Sequence, residues 1–138
     1  MDSAPRRLVE LTTHESLRLL GCASFGRIVF TAQALPAIRP INHIVDGDAV
    51  IVRTHLGAAT GDAVGVVVAY QVDEIDPVTH VGWSVTLTGI ARQVHDPRDV
   101  ARYQELLRPW VNGQRDEIIR IQPELVTGYR LTTDQGPG

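Results

Sequence analysis

The sequence predicts a single mainly β domain with flanking helices, built as a small, mainly antiparallel barrel of about six short strands. Three observations carry this reading. At 138 residues the chain can bury one genuine core and is short for two. Segments of strand composition follow one another as hairpins instead of alternating with helices, which argues against a doubly wound parallel sheet. Asp46-Gly47 joins two of those segments with residues that tolerate positive φ, a strong hairpin signal.

Taken in order, residues 1–10 carry no periodic pattern and are expected to be a flexible N-terminus. Thr12 or Thr13 caps "HESLRLL", a short helix with Leu17, Leu19 and Leu20 on its apolar side that Gly21 can stop. A first strand covers Arg27 to Thr31, "LPAIRPINHIV" a second and "DAVIVRT" a third. "HLGAATGDA" reads as a loop leading into one helical turn. "VGVVVAYQVDEI" is a nearly continuous apolar run, as expected for a strand buried on both faces. After the turn "DPVTHVG", Trp83, Val85 and Leu87 alternate with Ser84, Thr86 and Thr88, and Gly89 marks a bulge or a closely approached backbone. Asp96-Pro97 starts a second helix that ends near Arg108-Pro109. "EIIRIQPELVTGYRL" supplies a last strand or pair of strands, and residues 132–138 a flexible tail.

Composition narrows the function. The 43% hydrophobic and 21% charged fractions are those of a soluble globular protein, and no apolar run approaches the roughly 18 residues of a membrane span. No secretory signal is visible, so a cytoplasmic location is expected. The net charge of -3 gives no electrostatic footprint for nucleic acid. Cys22 is the single cysteine, which excludes an internal disulfide and a Cys-rich zinc site; a buried, inert thiol is expected. All 13 basic residues are arginine, which excludes a P-loop lysine, a pyridoxal Schiff base and a lysine general base. Any anion bound here meets arginine, backbone N–H groups or hydroxyls. The five histidines fall on different elements without metal-ligand spacing, so no metal site is expected.

The second and third strands hold the polar residues that a barrel core does not need. Pro40 lacks an N–H and belongs at an edge, a bulge or a strand crossing. If Ile38, Pro40 and Asn42 share one side of the strand, Arg39, Ile41 and His43 share the other, and neither side is purely apolar. Arg53 and Thr54 end the paired strand close to where its neighbour begins. On the residues alone, the arginines are either solvated and paired with carboxylates such as Asp46 and Asp48, or part of an anion or heterocycle site. The hairpin also brings His43 and His55 near the same groove.

The order "GRIVF", "LPAIRPINHIVDGDAVIVRT", "VVVAYQVDEIDPVTHVGWSVTLTGIARQV" and "RPWVNGQRDEIIRIQPELVTGYRL" resembles the pyridoxamine 5'-phosphate oxidase-like family of flavin-binding split barrels. The resemblance spans residues 11–131. It implies a six-stranded antiparallel split β-barrel that forms a homodimer, with FMN in each of two grooves between subunits. It further implies that Arg39, Pro40 and Asn42 line the isoalloxazine and that Arg53 and Thr54 reach toward the ribityl-phosphate arm, with His43 a further cofactor-binding candidate. Trp83 and Ser84 would approach from the partner subunit, and Trp110 would form part of a wall over the ring.

One departure stands out: where the family usually carries a lysine after the third strand, this chain reads Gly57-Ala58-Ala59. Losing a charge-assisted phosphate bond costs about 1.5–3 kcal/mol. The deazaflavin F420 is therefore an alternative cofactor. The expected activity is hydride transfer to or from a small organic substrate, with chemistry supplied by the cofactor. The alternative is a non-catalytic split barrel that carries a flavin, haem or another small molecule.

Overall fold

The computed structural model describes residues 5–57, 65–108 and 117–133. Seven strands and two helices run in the order β1 (Arg7–Glu10), α1 (Thr13–Cys22), β2 (Phe25–Ala32), β3 (Leu35–Asp46), β4 (Ala49–Thr54), β5 (Val66–Ile75), β6 (Gly82–Gln93), α2 (Pro97–Leu106) and β7 (Glu117–Thr132). Every pairing is antiparallel. The sheet order β1-β7-β4-β3-β2-β5-β6 is closed by a further β6–β7 pairing, so six strands form the barrel and β1 lies outside it. The expected antiparallel six-stranded barrel is the architecture observed.

Alternation explains how the barrel fills. Ile28, Phe30, Ile41, Val50, Val52, Val68, Tyr70, Val85, Leu87, Ile119 and Ile121 point inward and form one buried cluster with Leu20 of α1. Each such side chain contributes about 1.5–3 kcal/mol on burial. A second cluster lies on the outer surface, where α2 covers Ala49, Ile51 and Ile118 with Tyr103 and Leu107. Both helices start as the sequence indicates. Thr12 makes a reciprocal capping box with Glu15, and Asp96 accepts from the Arg98 and Asp99 N–H groups ahead of Pro97.

Three details differ from expectation. Arg7–Glu10 pair with Glu10↔Tyr129 to Arg7↔Thr132, so part of the N-terminus is a strand; four exposed residues carry no periodicity by which to see it. β5 is not buried on both faces in this chain, because Val68, Tyr70 and Val72 are inward while Val67 is 61% exposed. The last segment, expected as one strand or a pair, is a single 16-residue strand. Its interruption is a bulge opposite Thr88 and Gly89, where the register passes from Leu125 to Pro123. Gly89 is required there, since a Cβ would stand 2.0 Å from the Gln122 carbonyl oxygen. Cys22, at the end of α1, is exposed rather than buried. The helical turn expected after His55 lies outside the described residues. None of the described helices is long and apolar enough to cross a membrane.

Candidate functional site

β3 is bonded along its whole first half to β2, from Leu35↔Ala32 to Asn42↔Phe25, whereas its pairing with β4 begins only at His43↔Val52. Residues 35–42 therefore present an edge whose other side is unpaired among the described residues. Edges of this kind offer N–H and C=O groups to whatever lies beside them. Pro40 sits in it, exposed, which agrees with its missing donor.

The arginines expected at this edge point to different sides. Arg39 shares the inward parity of Ile41 but lies at the barrel mouth, with its guanidinium 4.9 Å above the Phe30 ring and Nη1 donating to the His55 carbonyl at 3.2 Å. Arg53 faces outward. Its Nη1 donates to the Leu107 carbonyl at 3.1 Å and the Gln104 carbonyl at 3.5 Å. Asn42, also outward, donates through Nδ2 to the Arg108 carbonyl at 3.2 Å. The two side chains thus cap the carbonyl end of α2, which has no basic residue in its own last turn. They fix the point at which the chain enters the "RPW" segment.

Thr54 is half-buried opposite Glu117. Beside it, His55 Nδ1 stands 3.4 Å from Glu117 Oε1, and Glu117 Oε2 is a buried oxygen with no partner among the described residues. Glu117 is a rim residue that sequence reasoning missed, because only the β4–β7 register brings it to Thr54. Arg39, Asn42, Arg53, Thr54, His55 and Glu117 thus gather around one end of the barrel.

His43 and Trp83 do not join them. His43 is 4% exposed, with Nε2 2.8 Å from the Leu20 carbonyl and Nδ1 2.5 Å from the Tyr70 hydroxyl. A carbonyl only accepts, so Nε2 carries the proton of the neutral ring and Nδ1 accepts from Tyr70. Burial lowers the His43 pKa, opposed by the Leu20 carbonyl, and burial pushes the Tyr70 hydroxyl far above its ordinary range. His43 is a core residue tying α1 to the barrel, not a groove residue. Trp83, 8% exposed, fills the barrel interior, so its indole is not available to a surface ring. Ser84 is half-buried on the outer surface, but within one chain it lies three strands from Asn42, about 14 Å at about 4.8 Å per strand. Trp110, Ala58 and Ala59 lie outside the described residues.

A second polar cluster, unforeseen from sequence, surrounds Tyr103 on α2. Its buried hydroxyl donates to Asp46 and accepts from Arg102 at 3.2 Å and Arg120 at 2.9 Å. The Tyr103 and Arg102 bonds hold the Asp46 carboxyl below its ordinary value, and Asp46 in turn raises Arg102. No group of three or more potential metal ligands occurs among the described residues.

The family model for pyridoxamine 5'-phosphate oxidase matches residues 12–130. The uncharacterized protein Rv0080 of Mycobacterium tuberculosis is 52% identical over 135 residues, covering 94% of this chain and 89% of that one. Among solved structures, a putative pyridoxamine 5'-phosphate oxidase from Corynebacterium glutamicum superposes with a TM-score of 0.76 at 29% identity, over 91% of this chain and 99% of the other. An FAD-binding protein from Mycobacterium smegmatis gives 0.71 at 33% identity, over 90% and 98%.

Proposed function

Because the chain belongs to the pyridoxamine 5'-phosphate oxidase family, we propose that it binds a flavin along the open edge of β3 and uses it for hydride transfer with a small organic substrate. The observation that carries this reading is the run from Leu35 to Asn42, whose side away from β2 is unpaired among the described residues and is flanked by Arg39 and Arg53. A flat ring with donors and acceptors on its rim matches a free strand edge, and the exposed Ile38 and Pro40 give it an apolar bed. Arg39 is the cation best placed for a phosphate, since its position over Phe30 orders the fork in advance. Asn42 and Arg53 act as positioning residues through the end of α2. When bound, the flavin supplies the redox chemistry; the protein orients it and excludes water.

The solved relative at 33% identity is an FAD-binding protein, so FAD stands beside FMN, with F420 as the deazaflavin alternative. We assign the active unit to a homodimer. Register aligns Ile38, Val29, Ala69, Thr88 and Leu125 in one outward row across β3, β2, β5, β6 and β7. Ile38 is 64% exposed, and Val67, two residues along β5 from Ala69, is 61% exposed. The row runs around five of the six barrel strands, so we place the contact on its β3–β2–β5 part, where Ile38 and Val67 are exposed. It adjoins the β3 edge, which puts the groove at the rim of the dimer contact.

Thermal-shift and absorbance titrations with FMN, FAD and F420 test the reading, because a ligand that prefers the native state raises the melting temperature. Saturable binding, weakened about tenfold or more by Arg39→Gln, is the expected result. No binding of any of the three at high micromolar concentration overturns it. A second reading, binding without turnover of a flavin, haem or similar molecule, is favoured by the commitment of Arg53 to the α2 carbonyls. It predicts a bound chromophore that NAD(P)H or reduced F420 leaves unreduced.

A further inference from the structure

We propose that His43, Tyr70 and the Ile41 carbonyl form a proton-operated switch: uptake of one proton by the His43 ring reverses its hydrogen bond with Tyr70 and re-aims the Tyr70 hydroxyl at Ile41 on β3. Three polar contacts line up through the buried interior. Nε2 of His43 lies 2.8 Å from the Leu20 carbonyl of α1, Nδ1 lies 2.5 Å from the Tyr70 hydroxyl, and that hydroxyl lies 3.1 Å from the Ile41 carbonyl. With the ring neutral, these three contacts share two protons. Nε2 holds one, since the Leu20 carbonyl only accepts, and the hydroxyl holds the other. Nδ1 and the Ile41 carbonyl then compete for a single donor, and the shorter contact goes to Nδ1. An imidazolium ends that competition. Its Nδ1–H donates to the Tyr70 oxygen, the hydroxyl rotates toward Ile41, and each contact has its own proton.

Packing confines the change to hydrogens. Tyr70 is fully buried and stands edge-on to His43, with ring centroids 5.1 Å apart. A Cβ at Gly26 would stand 2.9 Å from Tyr70 Cζ, so β2 holds the phenol in place from the other side. Tyr70 keeps its own proton throughout, because burial pushes its ionisation far above the ordinary range. For the ring, burial opposes the charged form and the Leu20 carbonyl favours it, so the switch operates below about pH 6.5. Among the described residues, Tyr70 from β5 is the titratable side chain that meets the ring. The α1 helix meets it with the Leu20 carbonyl, β4 stands opposite with Val52, and no carboxylate or guanidinium contributes to its titration. Ile41 lies next to Asn42, where the run of β3 without a β4 partner ends. Proton uptake therefore adds an anchor from β5 to the strand that carries the open edge. The switch belongs to the barrel and does not depend on the flavin assignment.

The test is a nuclear magnetic resonance titration of the full chain from about pH 8 to about pH 5, with circular dichroism recorded in parallel. Ring-15N histidine reports the His43 proton. Carbonyl-13C isoleucine combined with 15N asparagine isolates the Ile41 carbonyl, because Ile41-Asn42 is the one Ile-Asn pair in the sequence. The expected result is a shift of the Ile41 carbonyl signal with the same midpoint as the His43 ring, while circular dichroism stays that of the folded protein. In Tyr70→Phe the ring should still titrate and the Ile41 signal should stand still, since the hydroxyl that links them is gone. The parent measurement decides the matter even where Tyr70→Phe folds poorly. An Ile41 signal that is stationary in the parent while His43 titrates overturns the proposal. So does an equal shift in the parent and Tyr70→Phe, or a His43 ring that takes its proton only as the chain unfolds.

Discussion

His43 has both ring nitrogens engaged inside the protein, and burial keeps it neutral. Its folded pKa lies below the unfolded value of about 6.5, so the unfolded chain binds the extra proton as pH falls. The stabilising contribution is complete above that value and is lost as pH drops from about 6.5 toward the folded pKa. Urea midpoints measured from pH 8 to pH 5 should fall over this interval in the parent, while His43→Asn should be less stable at neutral pH and flatter below it. Asp46 sets a second, separate acid limb. Its carboxyl is lowered by Tyr103 and Arg102, so its contribution persists above about pH 3.9 and disappears below it as the carboxylate is protonated. Asp46→Asn should flatten the stability profile below pH 4 and leave the His43 limb unchanged.

At the scale of elements, the β2–β3 hairpin turns through Gln33 and Ala34, at φ 52 and 65 respectively. A two-residue turn of this kind suits Asn-Gly, and an ordinary L-residue in the left-handed region costs about 1–2 kcal/mol. Replacing Gln33-Ala34 with Asn-Gly should therefore raise stability by about 1 kcal/mol, read as a higher urea midpoint with unchanged slope. The contact between β4 and α2 predicts the opposite sign. Arg53→Ala removes the donors to Gln104 and Leu107 and should cost about 1 kcal/mol while weakening flavin binding as the α2 end shifts. Hydrogen exchange of the α2 amides would show the loosening directly. The hairpin at Asp46-Gly47, the Thr12 cap, the Asp96-Pro97 helix start and the Gly89 bulge were all legible because each rests on local chemistry. The roles of His43 and Trp83 were not. Both occupy the inward parity of their strands, and only the closed sheet shows that inward there means the core.

For the molecule as a whole, the exposed Ile38 and Val67 on the β3–β2–β5 side predict a dimer by light scattering. Ile38→Asp with Val67→Asp should yield a folded monomer with unchanged far-ultraviolet circular dichroism and weaker flavin binding. The barrel class was readable from the succession of hairpins, yet the pairing of Arg92 with Arg120, or of Thr54 with Glu117, was not. Those meetings arise from the register of a strand far away in sequence. That same strand has a consequence during synthesis. β7 bonds to β1, β4 and β6, and it follows all of its sheet partners in chain order. Until Glu117–Thr132 emerges, the nascent chain is an open sheet with two sticky margins at β4 and β6, and closure waits for that segment. Shortening the C-terminus into that segment should therefore send newly made chains to chaperones and inclusion bodies instead of yielding a smaller soluble protein.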